Sequence, residues 1–426
     1  MEGNPKAGLV HFLFGLLVTA YFLSFFFRVS AAVILPRLAS EFGISAAMTG
    51  FISSLYYYAY AAVQPLCGSL NDRWGPIRVV SAGLVVAAAG SALFMFASTP
   101  ASLAAGRLLT GLGLAPMFSG ALVFQATAFS PQRYAFYSSV TLAMGNLGAV
   151  VSVAPLGAAL DLWGRPAVFL ALSVASLVLA GLLLSRKEED PVKASRSRAN
   201  LPGTPFFDHL RLGFSTLASS REHRCLSLLW GVSVAVLLAF QGLWSVAWYQ
   251  AAYGVSASSA RNWAGIVGIG VMAGTLLGGR LGCGTEKRMR AMREGLFLNL
   301  GAWIALWLGI AAGLPLYLTG SLGFLVGVAT GYMVVHLASA LNEMTPRQRA
   351  GSVLGVVNML VMVSVIVFQW GTGAILGHFP GLRPGTYSQL GYLVTFGAAI
   401  AAIALSLSAL RGMRGFAGKV EEAKAA

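Results

Sequence analysis

Residues 68–78 read Gly-Ser-Leu-Asn-Asp-Arg-Trp-Gly-Pro-Ile-Arg, and they separate two long apolar stretches of the chain. The first stretch runs from Met48 to Cys67 and the second from Val79 to Ala97. Each is close to the length of about 20 residues that a helix needs to cross a bilayer. The segment between them is too short for a domain and too charged for a membrane interior. It therefore predicts a tight loop that joins two membrane-spanning helices.

The composition of the whole chain agrees with this interpretation. Of its 426 residues, 57% are hydrophobic and 10% are charged, and the mean hydropathy is +0.74. Soluble domains are about a quarter charged, so the chain is predicted to be an integral membrane protein. Only helices and closed barrels can span a bilayer, and these apolar runs are too long and continuous for barrel strands. The predicted fold class is all-α with 12 transmembrane helices.

The apolar runs define the predicted helices and the domains. Residues 186–225 are polar and basic, which predicts a cytoplasmic linker with a short surface helix near residues 206–218. The linker separates an N-terminal six-helix bundle (residues 1–185) from a C-terminal one (residues 226–426). The helices are predicted at residues 9–35, 48–68, 79–97, 101–125, 136–160 and 167–185, and then at 226–252, 261–282, 295–313, 316–341, 351–377 and 388–410.

The 29 Lys and Arg residues are distributed unevenly over the predicted loops. Twenty-two lie on one side with both tails, four lie on the other side, and three (Arg28, Arg107 and Arg280) fall within spans. The positive-inside rule then predicts a multi-pass cell-membrane protein with both termini in the cytoplasm. The net charge of +15 thus reflects topology, and no nucleic-acid partner is expected. The three cysteines lie toward the reducing side, so no disulfide is expected, and no cleaved signal peptide is evident.

The residue pattern of the opening segment has a known counterpart. Gly68-x-Leu70-x-Asp72-Arg73-x-Gly75-x-x-Arg78 resembles the signature loop between helices 2 and 3 of the major facilitator superfamily. The resemblance covers the whole chain and implies two pseudo-symmetric six-helix bundles related by a parallel repeat. A shift of 214 residues supports the repeat, because it places Gly68, Asp72 and Arg73 on Gly282, Glu286 and Lys287.

The same resemblance implies a gating role for this loop on the cytoplasmic side. Asp72 is expected near the start of helix 11, where the helix N-terminus carries a partial positive charge that stabilises a carboxylate. The predicted gating residues are Asp72, Arg73, Arg78, Glu286 and Lys287. The alternative is that these charges only fix the orientation of the loops.

All acidic residues lie in predicted loops, tails or helix ends, whereas Arg28 lies within helix 1. A buried charge costs about 3 kcal/mol on insertion scales, so the expected partner is an anion brought by the substrate. Helix 1 is similar to that of the anion:cation symporter branch, which implies that Arg28 holds the substrate carboxylate. An Asp often precedes this Arg in that branch, and its replacement by Phe27 puts proton coupling in question. The alternative is that Arg28 snorkels toward the interface.

Further polar and aromatic side chains are candidate contacts to the substrate. Arg107 is either a second anion contact or a hydrogen-bond hub that ties helix 4 to helix 1, and Arg280 is predicted to be interfacial. His336 is the candidate proton relay because histidine titrates near neutral pH; for it and for the aromatic residues, simple packing is the alternative. The remaining candidates are Tyr21, Ser24, Tyr57, Tyr60, Gln64, Gln241, Trp244, Tyr332 and Asn358.

These observations predict a secondary transporter that moves a small organic anion, a carboxylate, by alternating access, with H+ as the candidate coupling ion. A monomer in the lipid bilayer, without metal or cofactor, is expected. The chain lacks a P-loop, zinc-ligand spacing and a nucleophile–base pair, which argues against an enzyme. Two alternatives stay open. Ala154-Pro155-Leu156-Gly157 resembles part of the helix 5 signature of drug/proton antiporters, which would make the protein an exporter of amphipathic compounds; the other is a solute sensor.

Overall fold

The computed structural model describes residues 5–191, 206–281, 285–346, 349–382 and 386–425, and most of them are helical. The first six spanning helices are α1 (Pro5–Val29, continued by Ala31–Phe42), α2 (Ala46–Trp74), α3 (Pro76–Met95), α4 (Pro100–Leu114, continued by Met117–Ala128), α5 (Pro131–Val151, continued by residues 154–163) and α6 (residues 165–184). The last six are α7 (Arg221–Ala239, a π-helical turn Phe240–Trp244, and Ser245–Tyr253), α8 (Ala257–Arg280), α9 (Thr285–Ala311), α10 (Leu316–Met344), α11 (Ala350–Leu376) and α12 (Gln389–Ser406).

Ten helical segments in the described part of the chain are long and apolar enough to cross a membrane. One of them, Ala154–Leu184, contains the end of α5 and all of α6, which meet at a kink where Gly164 has a φ of 74°. The helix α2 and the first segment of α5 complete the set of twelve. The predicted all-α, twelve-helix fold is therefore confirmed.

Several helices depart from their predicted bounds. The helix α1 continues to Phe42 and α2 to Trp74, where ends at residues 35 and 68 were predicted, so the predicted loop at 68–78 is helical except at Gly75. The helix predicted at 101–125 is broken after Leu114 by Pro116, and α5 begins at Pro131 and is interrupted before Ala154. Proline at the start of a helix lacks an N–H that would be unpaired there anyway. The helix α9 begins ten residues earlier than predicted, at Thr285, because its charged first turns are helical although they are not apolar.

The helices pack as two bundles of six. In the first bundle α3 packs on α4 and α6, and α1 packs on α5; in the second, α8 packs on α10 and α7 packs on α11. The two bundles meet along α2 with α11 and along α5 with α8. A Cβ at Gly50 on α2 would lie 3.3 Å from the Cα of Trp370 on α11. Glycine thus lets the two helix backbones approach closely, as is common in membranes.

The molecule has two ends, which are named here by their loops. The loop-2/3 end carries Gly75 and the linker, and the loop-1/2 end carries Gly43 and the kink at Gly164. The predicted linker helix is present as Phe206–Ser219, and it packs against α11 with some contact to α2. Where this helix packs on α11, a Cβ on Gly213 would lie 2.7 Å from the carbonyl oxygen of Ser352. The linker helix therefore touches both bundles at the loop-2/3 end.

Candidate functional site

Two irregular helices from opposite bundles meet in the middle of the molecule. The helix α1 is interrupted at Ser30, two residues after Arg28, and α7 contains its π-helical turn, a deviation that is frequent at functional sites. A Cβ at Gly242, within that turn, would lie 3.7 Å from the hydroxyl of Tyr57, 3.6 Å from the amide nitrogen of Gln369 and 4.0 Å from the carbonyl oxygen of Arg28. The interface between the bundles thus passes directly beside Arg28.

Arg28 is buried, and aromatic rings surround its guanidinium group. The Cζ atom lies 4.4 Å from the ring centroid of Phe25 and 4.9 Å from that of Tyr60, distances at which a cation is attracted to an aromatic face. The titratable groups that interact electrostatically with Arg28 are Tyr60, Tyr56, Tyr57 and Tyr21. Its Nε is buried without a hydrogen-bond partner in the described residues. The charge of Arg28 is therefore stabilised by rings and hydroxyls and not by a carboxylate.

Arg107 lies nearby on α4 and has a different environment. Its side chain is 1% exposed, and it donates hydrogen bonds to the carbonyl of Phe27 at 2.8 Å and to that of Ser53 at 3.1 Å. The Cζ atom also lies 4.9 Å from the ring centroid of Tyr56. Arg107 joins α4 to both α1 and α2, so its geometry is that of the predicted hydrogen-bond hub. A role as an anion contact stays a prediction.

The predicted helix 1 partners of Arg28 are buried and held in place by α2, α4 and α5. The hydroxyl of Tyr56 donates to the carbonyl of Ser24 at 3.0 Å and lies 3.2 Å from the Ser24 hydroxyl. The ring of Tyr21 stacks on Phe118 with a centroid distance of 5.0 Å. The structure therefore places Tyr21, Tyr57 and Tyr60 near Arg28, with Ser24 one turn before it on α1. The substrate-binding role of these residues stays a prediction.

Other predicted contacts already have partners within the protein. The amide of Gln64 donates to the carbonyl of Ala115 at 3.1 Å, where α4 is broken. The indole of Trp244 donates to the hydroxyl of Thr372 at 3.0 Å. Gln241 lies in the π-helical turn and is buried, and Asn358 is half-buried on α11. The substrate-binding role of these four residues stays a prediction.

Tyr332 and His336 belong to a second polar cluster on α10. Their ring centroids are 4.4 Å apart, and the Nδ1 atom of His336 lies 3.1 Å from a guanidinium nitrogen of Arg288. Arg288 also pairs with Glu343 at 2.8 Å. A guanidinium can only donate, so Nδ1 accepts and His336 is neutral in this arrangement. His336, the predicted proton relay, is thus hydrogen-bonded to an arginine that also forms an ion pair, near the end of α10 on the loop-2/3 side. Its role in coupling stays a prediction.

The signature loop makes its described contacts to the start of the linker. Arg78 pairs with Glu188 at 2.9 Å, and the backbone N–H of Ile77 donates to the buried carboxylate of Asp190 at 3.1 Å. A carboxylate at this position stabilises the N-terminus of α3. The adjacent Gly75 has a φ of 82°, and a Cβ there would lie 3.0 Å from the carboxyl carbon of Asp190. These contacts tie the loop to the linker of its own bundle.

The predicted gating residues are only partly within the described chain. The side chains of Asp72 and Glu286 lie outside the described residues, and so does Gly282. Arg73 and Lys287 are exposed, and Arg280 is exposed at the last residue of α8. The exposure of Arg280 agrees with the interfacial position predicted for it. The gating role of the loop stays a prediction.

Sequence reasoning missed three residues at the contact between the bundles. Gln369 is fully buried on α11, and its amide donates to the carbonyl of Leu238 at 3.2 Å, just before the π-helical turn of α7. Asp161 on α5 and Arg261 on α8 form a salt bridge. A lone Gln in an apolar helix was the available signal for the first. The sequence placed the other two at predicted helix ends and gave them no role, since no local pattern relates residues 100 positions apart.

Comparison with protein families gives a match over most of the chain. Residues 17–369 match the sequence model of the Major Facilitator Superfamily. A "Probable sulfoacetate transporter" of Cupriavidus necator is 23% identical over 375 residues, which is 84% of this chain and 86% of that protein. An uncharacterised MFS-type transporter of Burkholderia mallei is 33% identical over 163 residues, which is 36% of this chain and 40% of that protein.

Solved structures with the same arrangement of helices are more distant in sequence. A bacterial homologue of the human lysosomal transporter Spinster, in an inward-facing and unoccupied conformation, superposes with a TM-score of 0.75 at 14% identity. That match covers 98% of this chain and 99% of the other. A D-xylose–proton symporter gives a TM-score of 0.65 at 13% identity over 92% of this chain and 96% of its own. At these identities the likeness concerns the fold alone.

Proposed function

Because the chain belongs to the Major Facilitator Superfamily and is a transporter by family, we propose that it moves a small organic anion. Arg28 binds the anionic group of this substrate, a carboxylate in the first instance, between the two bundles. The observation that carries the proposal is the environment of Arg28: a buried guanidinium beside the bundle interface that lies against aromatic rings and, in the described residues, interacts with tyrosines and with no carboxylate. Burying a charge is costly unless it gains a partner.

The geometry around Arg28 suits a small planar anion. A guanidinium presents several donors in one plane and binds a carboxylate through two parallel hydrogen bonds. The ring centroids of Phe25 and Tyr60 lie 4.4 and 4.9 Å from the guanidinium carbon, while Tyr57 on α2 interacts with the same charge. The relative named for sulfoacetate, a small organic anion, supports this class of substrate. A site beside the interface of two bundles supports the proposal of transport by alternating access.

The coupling ion is a separate part of the proposal. In the observed arrangement His336 accepts a hydrogen bond from Arg288, so protonation of Nδ1 would turn that contact into a repulsion between two donors. A proton carried by His336 would have to break the pair of Arg288 with His336 in each cycle. We therefore treat H+ as the coupling ion to be tested, with His336→Gln as the variant, since Gln can still accept from Arg288.

A ligand screen on the purified protein tests the anion hypothesis. Monocarboxylates, dicarboxylates, sulfonates, phosphate esters and cationic dyes are compared by the rise in unfolding temperature, because a ligand that binds only the native state stabilises it. We expect a carboxylate or sulfonate to stabilise the parent protein and to have no effect on Arg28→Ala. Arg280→Ala is the matched control, since it removes an exposed arginine and should retain the full ligand effect.

Two results would contradict the proposal. Stabilisation by cationic dyes with none by anions would favour the amphipath exporter. Equal stabilisation of the parent and of Arg28→Ala by the same anion would place its binding site elsewhere. Uptake of the stabilising anion into liposomes then separates a transporter from a sensor, and its dependence on external pH, compared between the parent and His336→Gln, tests the coupling ion.

A further inference from the structure

Three charged residues meet at the loop-1/2 end, where the chain has few charges. Arg37, on the second segment of α1, donates to one carboxylate oxygen of Asp161 on α5 at 2.7 Å. Arg261, in the first two turns of α8, forms a salt bridge with the other oxygen of the same carboxylate. Arg37 and Asp161 belong to the N-terminal bundle, whereas Arg261 belongs to the C-terminal bundle. One carboxylate therefore holds one arginine from each bundle.

The two arginines differ in how far they depend on Asp161. The side chain of Arg37 is 40% exposed, so solvent can replace its contact at little cost. That of Arg261 is 3% exposed, and its Nε and Nη1 have no hydrogen-bond partner in the described residues. The charge of Arg261 thus relies on Asp161 as long as the bundles are in contact. It would be hydrated only if α8 moved away from α5.

A glycine on α5 makes room for the buried arginine. A Cβ at Gly157 would lie 2.8 Å from the guanidinium carbon of Arg261, closer than real Cβ contacts come. Gly157 lies four residues, about one helical turn, before Asp161 on the same helix. The helix α5 therefore leaves space for the side chain of Arg261 at Gly157. One turn later it provides the carboxylate of Asp161, which neutralises the guanidinium.

We infer that the Asp161–Arg261 pair, seated on Gly157, is the latch that holds the two bundles together at the loop-1/2 end during transport. When this end opens, Arg261 leaves with α8, and Asp161 keeps Arg37 as its partner within the N-terminal bundle. Both ends of the broken pair are then satisfied, one by water and one by Arg37. The inference rests on the chain being a transporter of this family and is independent of which substrate Arg28 binds.

The latch predicts that substitutions within this one cluster differ in how far they open the loop-1/2 end. Asp161→Asn leaves a buried guanidinium without a counter-charge in the closed state only, so the open state should gain population by on the order of 100-fold. Gly157→Ala should act in the same direction, because the added methyl group displaces Arg261. Arg37→Gln removes an exposed pair within one bundle and should change the equilibrium by less than about fivefold. It is the matched control.

Spin labels report the separation of the bundles at this end. Glu41→Cys on α1 and Ala251→Cys on α7 introduce one label at an exposed position of each bundle, in a background with Cys67, Cys225 and Cys283 replaced by serine. We expect Asp161→Asn and Gly157→Ala to increase the long-distance population, and Arg37→Gln to leave it near that of the parent. The double variant Asp161→Asn/Arg261→Gln should be less open than Asp161→Asn, because the uncompensated buried charge is gone, but more open than the parent, because the pair is gone as well.

Each outcome is decisive for the latch. An Asp161→Asn distance distribution identical to that of the parent would overturn it, as would an Arg37→Gln shift as large as that of Asp161→Asn. A double variant as open as Asp161→Asn would show that Asp161 acts other than through the charge of Arg261, and one as closed as the parent would show that the pair does not hold the bundles together. Monodisperse gel-filtration profiles of all variants establish that they are folded, and unchanged ligand stabilisation through Arg28 separates this result from the anion hypothesis.

Discussion

Arg28 and Arg107 lie on facing helices of one bundle, and both are almost completely buried, yet their surroundings are opposite. Arg107 donates to two backbone carbonyls, at 2.8 and 3.1 Å, on two different helices. The Nε atom of each guanidinium lacks a hydrogen-bond partner in the described residues, but Arg28 rests against the rings of Phe25 and Tyr60, whereas Arg107 reaches backbone carbonyls. Each lies 4.9 Å from a tyrosine ring centroid, so the rings do not distinguish them. The carbonyl acceptors do.

The difference teaches which buried arginine is free to bind a ligand. A guanidinium whose two terminal nitrogens both donate to backbone carbonyls stabilises the fold and has little left to offer an anion. One that is buried and incompletely paired raises the free energy of the empty protein, and a ligand that supplies the missing acceptor recovers it. On this basis Arg107 is the structural member of the pair and Arg28 the binding member.

Alanine at the two positions should give the largest effects, in different measurements. Arg107→Ala removes two charge-assisted hydrogen bonds, each worth about 1.5–3 kcal/mol, so the unliganded protein should unfold at a clearly lower temperature. Arg28→Ala removes an incompletely paired charge, so the unliganded protein should be at least as stable as the parent. Thermal unfolding without ligand measures both. A loss of stability in Arg28→Ala as large as in Arg107→Ala would remove the distinction.

Lysine at the same positions should sharpen the comparison with smaller changes. Lysine keeps the charge but has one nitrogen in place of the planar guanidinium. Arg28→Lys should therefore lose at least tenfold in anion affinity, about 1.4 kcal/mol, while its stability stays at the parent level. Arg107→Lys can reach only one of the two carbonyls and should lose part of its stability, with nearly parental anion affinity in the folded fraction. Ligand titration monitored by tryptophan fluorescence gives the affinities.

Replacement of the tyrosine rings should produce the smallest effects and test the rings separately. Tyr60→Leu removes the face that lies against Arg28 and should weaken anion binding by about 2- to 30-fold. Tyr60→Phe keeps the face and should stay close to the parent. The matched change beside Arg107, Tyr56→Leu, should lower stability more than affinity, because it also removes the hydrogen bond from Tyr56 to Ser24. A larger loss of affinity in Tyr56→Leu than in Tyr60→Leu would reverse the assignment of the two arginines.

Much of the architecture is predictable from the sequence because whether a segment crosses the membrane depends on the hydropathy of that segment itself. About twenty apolar residues in a row must span, whatever they later contact, so the apolar runs on either side of residues 68–78 predict helices that are found at Ala46–Trp74 and Pro76–Met95. The early start of α9 at Thr285 was missed for the same reason, since a charged helical turn outside the bilayer carries no apolar signal.

The cluster around Arg28 was also within reach of the sequence. Tyr21, Ser24 and Arg28 recur on one helix face, and Tyr56 and Tyr60 recur on another, because helical periodicity places such residues side by side. Local periodicity shows which residues share a face of one helix, but it does not show which other helix packs against that face. The prediction therefore left both roles open for Arg107.

By itself, then, the sequence determined the membrane-spanning helices, the two-bundle repeat and the faces that carry charge and aromatic rings. The tertiary structure alone decided which buried arginine donates to the backbone, which pairs with a carboxylate and which lies against aromatic rings, because the partners come from distant parts of the chain. Phe27 lies 80 residues from Arg107, and Asp161 lies 100 residues from Arg261. Hydropathy depends on neighbours in the chain, whereas the pairing of a buried charge depends on neighbours in space, and only folding brings those together.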